Sequence, residues 1–168
     1  PNVGSGVITN MNSIDAPLWY FWALQQYIFY TEDKKTIKDR YLEKMKGIIE
    51  GYRSGTDFNI KVLDNGLVSG GQEGVALTWM DAVTPDGPVT PREGCPVEIQ
   101  ALWYNALCFY HELTGDQEIA DLASKLKDTF VKEFWSEEFG YLADVVDGEE
   151  KDWAVRPNMV FATSLPYT

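Results

Sequence analysis

One carboxylate stands out by its neighbours. Asp81 lies in Leu77-Thr78-Trp79-Met80-Asp81-Ala82, inside a Gly- and Pro-rich stretch that runs from Ser69 to Pro96. Apolar Trp79-Met80 precede it and Ala82-Val83 follow, and no cap or turn pattern accounts for it. An apolar setting raises a carboxyl pKa, which is what a general acid needs. Other polar residues precede or open apolar helical patterns: Asn12 and Asp15, then Arg92 and Glu98, then Arg156 and Asn158. The partial positive charge of a helix N-terminus favours carboxylates there. Each has a plain structural reading as well. Asp15 suits a helix cap, Glu98 a first turn, and the two arginines can simply neutralise nearby acids. Trp19, Trp22 and Trp103 suit either a core or a platform for sugar faces. The single histidine, His111, falls late in an apolar helix and reads as structural. With Cys95 and Cys108 the only thiols and no CxxC or HxxxH spacing, no metal and no cofactor are expected.

These residues need helices to hold them. Ser13 or Asp15 can cap a helix from about Ala16 to Tyr30, with Pro17 in its first turn. Its apolar residues (Leu18, Trp19, Phe21, Trp22, Leu24, Tyr27, Ile28) fall on every side, which predicts burial all round. A second helix, from Thr31 to about Tyr52, carries one apolar stripe: Ile37, Tyr41, Leu42, Met45, Ile48, Ile49 and Tyr52. Phe58 to Val68 reads as short strands around an Asp64-Asn65-Gly66 turn. Val97 to Leu113 is again apolar on nearly all sides and stops at Gly115. Asp116 to about Trp135 is again striped, Phe139 to Val146 is another short arm, and Arg156-Pro157-Asn158 opens a third apolar helix. Pro1 to Met11 reads as irregular. A unit of buried helix, striped helix and short β arm thus appears twice and begins a third time. The expected fold is all-α, a partial (α/α)6 toroid of about half a ring with β-hairpin arms. A plain helical bundle is the alternative.

Composition narrows the partners. The chain has 168 residues, 45% hydrophobic and 14% aromatic, with a formal net charge of -12. That charge opposes nucleic acid and anionic membranes, whose binding relies on Lys and Arg. It suits a neutral ligand. The apolar run from Ala16 to Leu24 is too short to span a bilayer. The sequence begins at Pro1 and ends at Thr168 inside an apolar segment, and is read as a piece of one domain cut at both ends.

Several blocks together resemble the C-terminal glucosidase domain of archaeal/bacterial-type glycogen debranching enzymes. They are Asn12-Ser13-Ile14-Asp15-Ala16-Pro17-Leu18-Trp19-Tyr20, Leu77-Thr78-Trp79-Met80-Asp81-Ala82, Val89-Thr90-Pro91-Arg92, Pro96-Val97-Glu98-Ile99-Gln100-Ala101-Leu102-Trp103-Tyr104-Asn105-Ala106-Leu107, and Arg156-Pro157-Asn158. The resemblance implies an (α/α)6 barrel and a cytoplasmic amylo-α-1,6-glucosidase that removes branch-point glucose from glycogen or limit dextrin with inversion. It assigns Asp81 as the general acid and Asp15 to the glucose at the cleavage point. Arg92, Glu98 and Arg156 fall in blocks that line the pocket, and Trp79 and Trp103 complete the expected substrate-binding set. Val83 and Cys95 depart from the lysines of many relatives. Inversion needs two carboxyls roughly 6.5–9.5 Å apart. The resemblance puts the base C-terminal to Thr168, so this piece alone is expected to be inactive. Three other readings compete: a non-catalytic glucan-binding domain that does not need Asp81, an epimerase that would use paired histidines, and a helical scaffold for protein partners.

Overall fold

The computed structural model describes residues 12–168, so the expectation for Pro1 to Met11 lies outside the described residues. About half of the chain is helical, small two- and three-stranded arms fill in between, and no closed barrel forms among the described residues.

Three helices precede the first arm: α1 (Ala16–Thr31), α2 (Lys34–Arg40) and α3 (Leu42–Ser54). The expected single striped helix is therefore two. Asp33 caps α2 by accepting the Thr36 amide, and the chain breaks at Tyr41, whose φ of -120° and ψ of -15° leave the helical well. The stripe survives the break, because Ile37, Met45, Ile49 and Tyr52 are all buried. The hairpin β1 (Lys61–Val62) and β2 (Val68–Ser69) closes around the expected Asn65-Gly66 turn.

The stretch from Gly70 to Gly94 contains one small hairpin, β3 (Val83–Thr84) with β4 (Gly87–Pro88). Then β5 (Cys95–Pro96) runs straight into α4 (Val97–Thr114), the most buried helix of the chain. Asp116 caps the amphipathic α5 (Gln117–Phe134) through the Ile119 amide. Two arms follow: β6 (Trp135–Ser136) with β7 (Tyr141–Leu142), and β8 (Val145–Asp147) with β9 (Glu150–Asp152). Strand β8 lies between β5 and β9, with Cys95 opposite Val146. Gly94 makes this pairing possible. Its φ is +98°, and a Cβ there would stand 2.8 Å from both Asp147 Cβ and the Val146 carbonyl. A 3-10 turn, Pro157–Val160, and the short α6 (Phe161–Ser164) end the order.

Side-chain contacts give the helix directions. Gln25 in α1 and Asn105 in α4 exchange two hydrogen bonds, 3.1 and 2.9 Å. Lys34, just past the C-terminus of α1, pairs with Glu112 near the C-terminus of α4. The two helices therefore run the same way. The last segment follows them, since Asn158 lies beside Asp144, close to the start of α4, while Tyr167 reaches Asn105 and Glu112. The N-terminal ends of all three segments gather at one end.

One expectation fails on α1. It is apolar on every side, yet only Leu18, Phe21, Leu24 and Gln25 are buried. Trp22, Tyr27, Phe29 and Tyr30 are exposed, the last two by 72% and 79%. Nothing among the described residues covers that face.

Gln100 joins α4 to the first arm. Its amide accepts from the Val68 N–H and donates to the Val68 carbonyl, both at 2.8 Å, much as a neighbouring strand would. In Gln100→Leu both backbone groups lose their partner while buried. Urea denaturation is expected to show a loss of about 2 kcal/mol. An unchanged midpoint would mean that water or a shifted β2 replaces the bonds.

Candidate active site

Asp15 and Asp81 meet at one recess. Its walls are Asn12, Ser13, Asp15, Leu77, Thr78, Trp79 and Asp81. Two backbone ties bring these distant stretches together: the Ile14 amide donates to the Leu77 carbonyl at 2.9 Å, and the Asn12 side chain to the Ala76 carbonyl at 3.2 Å. Tyr52 holds the same segment from beneath, donating to the Ile14 carbonyl at 2.5 Å. Burial, and then the nearby Asp15 charge, push the Tyr52 pKa up, so its hydroxyl keeps the proton it donates.

Asp15 is not the cap that its position suggested. Ser13 accepts the Ala16 amide, at 3.1 Å, and its own hydroxyl donates to Asp15 Oδ1 at 2.6 Å. The Asp15 side chain makes no capping bond. Its carboxylate is thus held in place by Ser13 and is half-buried at the rim of the recess.

Asp81 needs a correction of another kind. The apolar neighbours that marked it do not bury it: Asp81 is exposed, and Trp79 beside it is 51% exposed. Its neighbours Trp79, Ala82 and Val83 are exposed with it and Met80 is only part-buried, so no apolar pocket encloses the carboxylate. Trp79 presents one open aromatic surface at the recess, while its indole N–H is anchored on Asn158 Oδ1 at 3.0 Å.

Arg92, Glu98 and Arg156 also sit elsewhere than expected. They form a charged framework behind the recess, Arg92 and Glu98 buried and Arg156 part-buried. Arg92 forks onto both carboxylates: Nη1 and Nη2 donate to Glu98, the second at 2.7 Å, and Nε and Nη2 to Asp144 at 2.8 and 3.1 Å. Arg92 Nη1 also donates to Thr78 Oγ1 at 3.4 Å, one residue after the Leu77 tie. Burial works against the Arg92 charge, but the hydrogen bonds and charges of Glu98 and Asp144 outweigh it and raise its pKa. Arg156 bridges Asp144 and Asp152 at 2.6 Å each. Its bond holds the Asp152 carboxyl below the usual range. Arg92 and Glu98 are buried and therefore support the recess rather than line it.

Trp103 is corrected outright. It is fully buried, 5.3 Å from the Tyr52 ring, and offers no face to a ligand. Its helix is closed on all sides there, so the indole is core.

Asp144 is the residue that sequence reasoning missed. It is wholly buried and accepts from Arg92, Arg156 and Asn158. The β5–β8 pairing brings it in, because the Val97 amide donates to the Asp144 carbonyl at 2.9 Å. The signal was a lone carboxylate in the apolar run Tyr141-Leu142-Ala143-Asp144-Val145-Val146. With its oxygens occupied by four donors, Asp144 has no lone pair free to activate water.

A more apolar groove lies between α4, α5 and the last residues, lined by Tyr104, Leu126, Phe130 and Tyr167 among others. No Asp or Glu side chain is among the described residues that line it. Among the described residues no group of His, Cys, Asp and Glu side chains is placed to hold a metal, and no helix is long and apolar enough to cross a membrane.

Asp15, Asp81 and the exposed Trp79 thus share one recess. A family model described as amylo-alpha-1,6-glucosidase matches residues 1–168. The chain belongs to the amylo-alpha-1,6-glucosidase family. It is thereby related to the glycoside hydrolases of glycogen debranching, and the family's substrate is a glucan. No curated protein matches the chain.

Proposed function

We propose that the full-length protein hydrolyses α-1,6-linked glucose at branch points of glycogen or limit dextrin, with inversion. The observation that supports this reading best is the recess at which Asp15, Asp81 and Trp79 meet. Asp81 is the proton donor to the leaving glycosidic oxygen. It is exposed in the free protein, and a sugar seated against Trp79 would cover it. Asp15, braced by Ser13, accepts hydrogen bonds from glucose hydroxyls. The indole of Trp79 covers an apolar sugar face. Arg92, Glu98 and Arg156 keep the two sides of the recess in register from behind.

The parallel α1, α4 and C-terminal segments, separated by striped helices, suit half of an (α/α)6 ring with the recess at the end where inner N-termini converge. In this reading the water-activating base belongs to another part of the ring, and the 168-residue chain alone releases no glucose. A proton NMR time course of the full-length protein on a branched limit dextrin tests the proposal. β-Glucose is expected first, because inversion at an α linkage gives the β anomer. α-Glucose first would overturn inversion, and no glucose at all would favour a glucan-binding domain without chemistry.

A further inference from the structure

We propose that Asn158 is a positioning residue for the acid-bearing loop, acting on Asp81 through Trp79 and Met80. The inference rests on Asp81 being the acid. Asp81 lies in a stretch whose regular structure amounts to one two-residue hairpin, and its own side chain has no hydrogen bond among the described residues. Its placement must come from its neighbours. Asn158 is fully buried and grips both residues that precede the acid. Its Oδ1 accepts from Trp79 Nε1 at 3.0 Å, and its Nδ2 lies 3.4 Å from Met80 Sδ.

The direction of that amide is not free. Nδ2 also donates to Asp144 Oδ1 at 2.7 Å, and an ionised carboxylate only accepts. The NH2 side must therefore face Asp144, which leaves Oδ1 for the indole N–H. Asp144 is itself fixed by Arg92 and Arg156. A rigid buried framework thus ends on two residues of an irregular loop, and the next residue is the acid. A buried asparagine that served Asp144 alone would have no reason to reach a half-exposed tryptophan.

The test uses two substrates of the full-length enzyme. Branched limit dextrin needs protonation of its leaving oxygen. α-Glucosyl fluoride does not, because fluoride departs without a proton. In Asp81→Asn the dextrin rate should collapse while the fluoride rate persists. Asn158→Leu should copy that selectivity, losing about tenfold to a hundredfold on dextrin through misplacement of the acid. Trp79→Phe, a second variant should Asn158→Leu fail to fold, removes the anchoring N–H together with part of the sugar-facing ring; it should show a smaller loss in kcat with the same selectivity, the lost stacking appearing in KM for both substrates. The double variant should be no worse in kcat than Asn158→Leu. Equal losses in kcat on both substrates for the Asn158 and Trp79 variants, or none, overturn the positioning role while leaving Asp81 as the acid. If Asp81→Asn itself shows no selectivity, the reading of the acid fails and this inference fails with it.

Discussion

Replacing Asp81 by Asn is expected to cut glucose release from a branched limit dextrin by about 10²–10⁴-fold in the full-length enzyme. The change removes one proton from a side chain of the same shape. Asp81 is exposed and has no hydrogen bond among the described residues, so the fold should not register its loss. Substrate affinity should survive too, because Asp15 and Trp79 still line the recess. The kinetic signature is a fall in kcat with KM little altered, which marks an interaction made in the transition state alone. Near-normal turnover would remove Asp81 from the mechanism. A comparable fall in affinity would make it a binding residue instead.

The second large effect concerns stability. Arg92→Met should destabilise the protein by about 3–5 kcal/mol in chemical denaturation. The Arg92 side chain is 2% exposed, and its two carboxylate partners are as deeply buried. Without the guanidinium, Asp144 keeps Arg156 and Asn158, but Glu98 keeps no side-chain partner among the described residues. A carboxylate is then left buried at the first turn of α4 without the hydrogen bonds that held it. Arg92→Lys should rescue little, because an ammonium cannot fork onto two carboxylates. Removing charge from both sides, as in Arg92→Met with Glu98→Leu, should recover part of the loss. Arg53 is the control. It pairs with Glu50 and Glu118 at the surface, and Arg53→Ala should cost less than about 1 kcal/mol. A small effect for Arg92→Met would mean that water enters and solvates Glu98.

The parts of this molecule that sequence could announce are those built from local repetition. The striped α5 and the all-apolar α4 were legible because burial follows helix period, and Asp116 and Gly115 mark the boundary between them. The break at Tyr41 was not, since the apolar stripe continues across it and no Gly or Pro signals the change. Among the site residues, Asp15 and Asp81 were found by type and company, and they share one recess. The reason given for Asp81 was wrong nonetheless, because apolar residues next in sequence do not bury a carboxylate when the loop that carries them all is itself exposed. Trp103 shows the opposite error: an aromatic in a promising block belongs to the core once α4 is enclosed. Asp144 stood out only as a lone carboxylate in an apolar run, and its role could not be read from that. Its meaning depends on β8 pairing with β5, some fifty residues away in sequence, and nothing local encodes that pairing.

The reciprocal amide pair between Gln25 and Asn105 has a consequence for which structures the chain avoids. Its net contribution to stability is small, since each amide exchanges water for the other. Slide α1 by one turn along α4, however, and two buried amides face hydrocarbon with no partner. An aromatic, featureless surface like that of α1 would otherwise pack almost equally well in several positions. The pair therefore selects one alignment among near-equals, and with it the level at which Asp15 arrives opposite Asp81.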